Sequence, residues 1–368
     1  MSVKVIVQII TYRTEGIEAE LDELFDSLAK TRAPEGGWVL AVIDQPSALG
    51  NLREYLESKV KPRSGMELPE VVCVFNDENL GFAGGHMKLY EAIRDRNPEF
   101  VYLLNQDAYV DADFLRSIVQ YAESNPNMAT VQSRIMRAQT PDRYNSAGNA
   151  MHFLGFGFSL ANGDVRNSTL TIEQQRGGLP MFYASGAGAM IRTGVFNMIG
   201  DMFVSSYFMY HEDLDVCWRA RLAGSDVGYA DNSVVYHRYD FSRSMKKFFW
   251  MERNRHLTNF CNYRTGTLVF IAPPMIVMEL GTLFFAFRSG WWKEKLRSWG
   301  FFWKRSTWKY IYDRRRFVRS IRTRSDREML QNMVGVVVSQ EVESKIMTRV
   351  VNPILSVYFL LLKSIVRW

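Results

Sequence analysis

Strand-like runs alternate with helix-like stretches four times over the first 125 residues, and no other feature of the chain narrows its fold so far. Val3 to Tyr12 is nearly continuous in β-branched residues, while Glu18 to Lys30 places Leu21, Leu24, Phe25 and Leu28 at helical spacing. The pattern then repeats. Trp38 to Ile43, Val71 to Phe75 and Phe100 to Leu104 read as strands, and Leu52 to Lys59, Gly85 to Arg94 and Ala112 to Asn125 as the helices that follow them. Parallel strands need crossover connections, so the alternation predicts an α/β fold with a doubly wound, mainly parallel sheet. Ligands of such sheets gather beyond the carboxyl ends of the strands. Asp44, Asn79 and Asp107 each follow a strand and are predicted to meet in one crevice.

From Thr130 to Ala161 the pattern turns to short strands and Gly-rich turns, and Leu170 to Pro180 reads as a loop. Phe182 to Phe196, FYASGAGAMIRTGVF, predicts a small-residue turn, a strand and a helix start. Gly186 and Gly188 resemble part of a dinucleotide fingerprint, but the third glycine and the acidic partner are missing. Close approach of backbone to a substrate is the better use of them.

Tyr207 to Arg221, YFMYHEDLDVCWRAR, sets Glu212, Asp213 and Asp215 between an aromatic run and two arginines. In group transfer, one carboxylate takes a proton from an incoming hydroxyl while cations hold phosphates. The plainer reading is a helix start with acids in its first turn and Arg219 and Arg221 further along. Asn105-Gln106-Asp107 upstream and His237 downstream favour the chemical reading.

At 368 residues and 47% hydrophobic content the chain can form a domain of about 250 residues with an appendage of about 100. The net charge of +6 is unevenly spread: Arg288 to Arg327 holds fourteen Lys and Arg against three acids, a net +11, leaving −5 on the rest. That segment also carries Trp291, Trp292, Trp299, Trp303 and Trp308, and Trp beside cations suits the headgroup zone of an anionic membrane. Nucleic acid is the competing polyanion, but the adjacent apolar run argues against it. Thr267 to Phe287 has the length to cross a bilayer, yet Pro273-Pro274, Glu279 and Gly281 favour a bent or interfacial insertion. Asn352 to Trp368 is a second apolar segment, suited to an in-plane helix or a contact between copies. Cys73, Cys217 and Cys261 form no CxxC pair, and MSVKVIVQIITYRTEG reads as a first strand and not as a leader, so a cytoplasmic setting fits.

The ordered motifs are ITYRTEG (Ile10 to Gly16), VID (Val42 to Asp44), NDENLGFAGG (Asn76 to Gly85), LLNQD (Leu103 to Asp107), ASGAGAMIR (Ala184 to Arg192), HEDLDVCWRARLAG (His211 to Gly224) and VVYH (Val234 to His237). Over about residues 3 to 260 the chain resembles family 2 glycosyltransferases of the GT-A fold, within them rhamnosyltransferase-type enzymes that extend polyprenyl-diphosphate-linked glycans.

The resemblance implies a GT-A domain over residues 1–260 and a helical, basic, membrane-associating region over 261–368. It implies that Asp213 is the general base of an inverting displacement, with Glu212 positioning acceptor or base. Tyr12, Asp44, Asn79, Gly81, Phe82, Ala83, Asn105, Gln106 and Asp107 would meet the nucleotide-sugar donor. His86 stands where a common form of the donor loop has Asn. LLNQD takes the place of an Asp-X-Asp element, so Asp107 and His237 would hold a divalent cation, Mn²⁺ or Mg²⁺, and Asn105 would meet the ribose or a bridging water. Arg219, Arg253, Asn254 and Arg255 would hold acceptor or diphosphate. The expected setting is the cytoplasmic face of the membrane, peripheral or monotopic, with a lipid-linked glycan acceptor, anionic lipid, no nucleic acid, and a homo-oligomer possible through the C-terminal region. Galactofuranosyl or other hexosyl transfer is the alternative within the class, and a non-catalytic nucleotide-sugar or glycan-binding membrane protein the alternative outside it.

Overall fold

The structure is a computed structural model that describes residues 3–238, 247–338 and 345–368. Its main sheet is built from β1 (Val5–Tyr12), β2 (Trp38–Gln45), β3 (Glu70–Phe75), β4 (Phe100–Asn105), β5 (Ala108–Val110), β6 (Met128–Arg137), β7 (Thr140–Ser146), β10 (Gly188–Arg192) and β11 (Asp226–His237), with β8 (Asn149–Met151) and β9 (Gly157–Ser159) as a separate hairpin. The order is β3-β2-β1-β4-β10-β6-β11-β5, with β7 on β6. β1, β2, β3 and β4 run parallel, as the alternation predicts. β10 enters antiparallel between β4 and β6.

Both faces of the parallel half are covered, so its strands are apolar throughout. Val5, Val7 and Ile9 join Leu21, Leu24, Phe25 and Leu28 of α1 (Ile17–Ala29), while Ile6 packs with Leu89 and Ile93 of α2 (Gly81–Ile93). Helix α2 starts four residues earlier than its apolar spacing predicts. The Asn79 side-chain oxygen accepts the Gly81 N–H at 2.8 Å, which turns GFAGG into the first turn of a helix and not a free loop. Helix α3 (Phe114–Ser124) completes this layer with Phe114, Leu115, Ile118 and Val119 buried.

The body also holds α4 (Glu212–Leu222), and the described chain after β11 is helical: α5 (Lys247–Asn262), α6 (Thr265–Arg288), α7 (Trp292–Phe301), α8 (Arg305–Ile321) and α9 (Asn352–Ile365). These do not form a separate globule. Ile271, Met278, Val318 and Phe359 share one core with Met151, Phe153, Leu214 and Trp218 of the body.

Helix α6 runs unbroken through Pro273 and Pro274, against the break that a proline pair predicts. Pro274 leaves the Phe270 carbonyl without its usual helical donor, and the Tyr358 hydroxyl of α9 donates to it at 2.6 Å. Glu279, midway along α6, is turned inward. Its carboxylate meets Arg255 and His256 of α5 and Lys295 and Trp299 of α7.

Candidate active site

The acidic dyad sits at the N-terminus of α4, behind a strained loop. Phe208, Tyr210 and His211 take left-handed φ values of 65°, 67° and 69°, which L-residues adopt only when their surroundings impose it. Asn254 supplies that restraint, its buried side-chain amide facing the carbonyls of Tyr207, Met209 and Tyr210 at 3.0, 2.9 and 2.7 Å. Arg253 stacks over Trp250 and hydrogen-bonds the carbonyls of Ser206 and Tyr207.

Asp213 Oδ1 accepts the Leu214 N–H at 2.8 Å and its Oδ2 accepts the Gly186 N–H at 3.2 Å. Burial raises its pKa, the Gly186 and Leu214 amides pull it back, and it comes to about 6. Burial, reinforced by the Asp213 charge, pushes Glu212 well above the ordinary carboxylate range. Of the two, Glu212 holds its proton more tightly, and its Oε2 is buried and unpartnered.

The turn before β10 links this dyad to the sheet. Ala187 C=O accepts the Asn105 N–H at 3.4 Å, one residue from the amide that holds Asp213. Asn105 Nδ2 then lies 3.1 Å from His237 Nε2, which is 3.2 Å from Asp107 Oδ1. His237 Nδ1 pairs with Asn145 Oδ1 at 3.0 Å. His237 thus stands between the Asn145 amide behind it and the Asn105 amide and Asp107 carboxylate in front of it. An imidazole and a carboxylate on oxygen-rich, half-buried ground fit a divalent cation.

The structure distributes the remaining predicted residues between the crevice and its supports. Asp44 is buried, accepting from Thr11 Oγ1 at 2.9 Å and Leu52 N–H at 2.8 Å. Gln106 clamps both backbone groups of Tyr12, at 2.7 and 3.0 Å, and so ties the end of β1 to β4. Phe82 packs edge-on against His86 and touches the space beside Gly186, so the GFAGG segment and the Asp213 turn abut. His86 lies wholly in the core against Gln8, held neutral by burial.

Two residues expected at a diphosphate have no open face. Arg219 spends its guanidinium on Asp215 and the carbonyls of Ile199, Asp201 and Met202. Arg255 is spent on Glu252, Glu279 and the Leu154 carbonyl. The partners at helical spacing, Asp215 for Arg219 and Glu252 for Arg255, are legible in the chain, and the distant carbonyls and Glu279 are not. Arg253 and Asn254 brace the strained loop instead of pointing outward. Asn145 and Phe208 went unnoticed in the sequence; Gly186 was expected to let backbone approach a substrate closely, and here its N–H meets Asp213.

Glu252, His256 and Glu279 also bring ligand atoms within 4.8 Å of one another. Lys295 and Arg255 already lie against both carboxylates, so that cluster supplies its own positive charge.

Gly81 lets the GFAGG turn pack directly on this loop. It has φ +68°, its neighbour Ala83 donates its N–H to Phe208 C=O at 3.1 Å, and a Cβ at Gly81 would run into that carbonyl and ring. Gly81→Ala is expected to cost at least about 1–3 kcal/mol in urea unfolding, with a larger loss of donor affinity in calorimetry.

The sequence profile described as "Glycosyltransferase like family 2" matches residues 64–259, more than half of the chain. The chain belongs to this family. Tyr12 and Asp44 lie before the matched span. A curated relative, the low-salt glycan biosynthesis hexosyltransferase Agl10 of Haloferax volcanii, is 26% identical over 152 residues, 41% of this chain and 46% of that one. The match thus spans less than half of that relative's length. Among solved structures, GalNAc-T7 with UDP, GalNAc and Mn²⁺ superposes with TM-score 0.51 at 13% identity, covering 70% of this chain and 47% of that one. S. aureus TarS 1-349 in complex with UDP gives TM-score 0.46 at 17% identity, covering 71% and 66%. The family and the sheet order together make this a GT-A-like α/β fold with C-terminal helices added.

Proposed function

We propose that the chain is an inverting, divalent-metal-dependent glycosyltransferase that extends a polyprenyl-diphosphate-linked glycan at the cytoplasmic face of a membrane. Residues 1–260 carry the transfer and 261–368 the docking. The observation that supports this reading is the chain of contacts from Asp213 through the Gly186–Ala187 turn to Asn105, His237 and Asp107, the residues proposed as base and cation ligands. The hexosyltransferase relative and the UDP-bound neighbour support a nucleotide-sugar donor.

Asp213 accepts the proton of an acceptor hydroxyl as its oxygen forms a bond to the anomeric carbon. The bond from that carbon to the nucleotide diphosphate breaks on the opposite side, its electron pair leaving with the diphosphate, and the configuration inverts. Glu212, whose burial favours its protonated form, limits the negative charge beside the base. A divalent cation held by Asp107 and His237 would offset the charge of the departing diphosphate. Asn105 orients the His237 edge, and Asn145 fixes the imidazole from behind.

The donor is proposed as dTDP-rhamnose, with galactofuranosyl or other hexosyl donors fitting the same geometry. A donor screen by mass spectrometry against a short-chain prenyl-diphosphate glycan tests this. One activated sugar should be transferred. Binding of a nucleotide sugar with no transfer from any donor would assign a binding role instead.

Chelation gives a further expected result. EDTA should abolish transfer, with recovery on adding Mn²⁺ or Mg²⁺, while the thermal midpoint of the donor-free chain stays unchanged because the Glu252–Glu279 cluster is neutralised by Lys295 and Arg255. Transfer that persists in EDTA would refute the Asp107–His237 assignment.

A further inference from the structure

Helix α6 presents one continuous apolar side to solvent. Val269, Ile276, Leu280, Phe284 and Phe287 recur at steps of seven, four, four and three residues, and Ile276 and Leu280 are 60% and 61% exposed. The opposite side, with Thr267, Ile271, Pro274 and Met278, is buried. Helix α9 repeats the arrangement: Ile354, Val357, Leu361 and Ile365 face out, and Leu355, Phe359 and Leu362 face in. The inward sides of both helices enter the same core, and Tyr358 and Trp368 of the α9 segment bond α6 at Phe270 and Thr267. The two outward sides therefore form one plate, far more apolar surface than a soluble monomer leaves uncovered.

We infer that α6 and α9 form a non-spanning plate that lies flat in the headgroup–acyl boundary of an anionic bilayer. This rests on the proposed transfer to a lipid-linked acceptor, and it specifies how the enzyme meets the lipid. A helix of 24 residues is about 36 Å long, enough to cross the hydrocarbon core of about 30 Å. Crossing would carry Glu279, Arg255 and Lys295, with the body elements that hold them, into hydrocarbon. Lying flat leaves that cluster on the protein side and buries only apolar side chains. Charge selects lipid over a second copy. Beyond α7, at the start of α8 and along it, the chain exposes Lys304, Arg305, Lys309 and Arg316 with Trp303, which is 88% exposed, and Trp308. A like-charged copy would meet repulsion there, whereas anionic headgroups attract both the cations and the indoles.

The test uses the full chain and the variant Ile276→Glu/Leu280→Glu, both positions solvent-facing. Wild type should float with vesicles of equal phosphatidylglycerol and phosphatidylcholine, at least tenfold more than with phosphatidylcholine alone. The variant should lose that flotation with an unchanged melting midpoint and unchanged transfer to a short-chain acceptor in detergent. Flotation equal to wild type overturns the inference, as does a dimer, seen by sedimentation, that the variant dissolves. Thr265→Cys and Ser289→Cys, at the two ends of α6, should label with an impermeant maleimide from the same side of sealed cell membranes; opposite sides would mean a span. Flotation without transfer from any donor would sink the enzymatic reading and leave the plate intact.

Discussion

Asp213→Asn is expected to lower the transfer rate by about a hundred- to ten-thousand-fold while nucleotide-sugar affinity changes little, the range found when a positioned general base is removed. The substitution keeps the shape of the side chain. It cannot take the acceptor proton, and its amide can satisfy only one of the two N–H groups, from Gly186 and Leu214, that now point at the carboxylate. The pH profile of the wild type supplies a second signature. A base must be ionised to act, so the rate should climb about tenfold per unit on the acid side and level off above pH about 6, where burial sets the Asp213 carboxyl. The variant should lose that limb. Rapid-quench transfer assays with the donor identified in the screen would measure both. A variant retaining more than a tenth of the rate, with the same pH limb, would mean another group takes the proton.

Glu279→Ala should destabilise the chain by about 3–5 kcal/mol, the cost of removing one member of a buried charge network and leaving its partners uncompensated. Those partners are Arg255, His256 and Lys295, all buried, with the Trp299 N–H also donating to the lost oxygen at 2.7 Å. Urea unfolding in detergent would read the change. Glu279→Gln should fall between, since it keeps hydrogen bonding and removes the charge. A cost under about 1 kcal/mol for Ala would show that water reaches the cluster and that α6 is not held to the body by it.

Glu279 also shows where reading along the chain stops. A carboxylate in a 24-residue apolar helix is visible as an anomaly, and the structure turns it inward, onto the body. Its partners Arg255, His256 and Lys295 lie 16 to 24 residues away on two other helices, so nothing local identifies them. The same limit misplaced Arg219 and Arg255. Charged side chains near an acidic motif suggested ligand contacts, and the structure spends them on interior carbonyls and carboxylates instead. The prolines erred in the other direction: Pro273-Pro274 predicted a break, but a hydroxyl some 88 residues on restores the freed acceptor.

The alternation of period-two and period-3.6 apolar runs by itself determined the parallel half of the sheet, because each strand must be buried on both faces and each crossover helix on one. Local chemistry likewise determined which carboxylates, amides and imidazole were candidates. Only the tertiary structure decided which of them converge: the antiparallel insertion of β10 between β4 and β6 sets the Gly186 turn against Asp213 and leaves Asn105 facing His237. Contacts between positions more than a hundred residues apart depend on strand order, and strand order is a property of how all the apolar surfaces are buried together, which no single stretch of chain encodes.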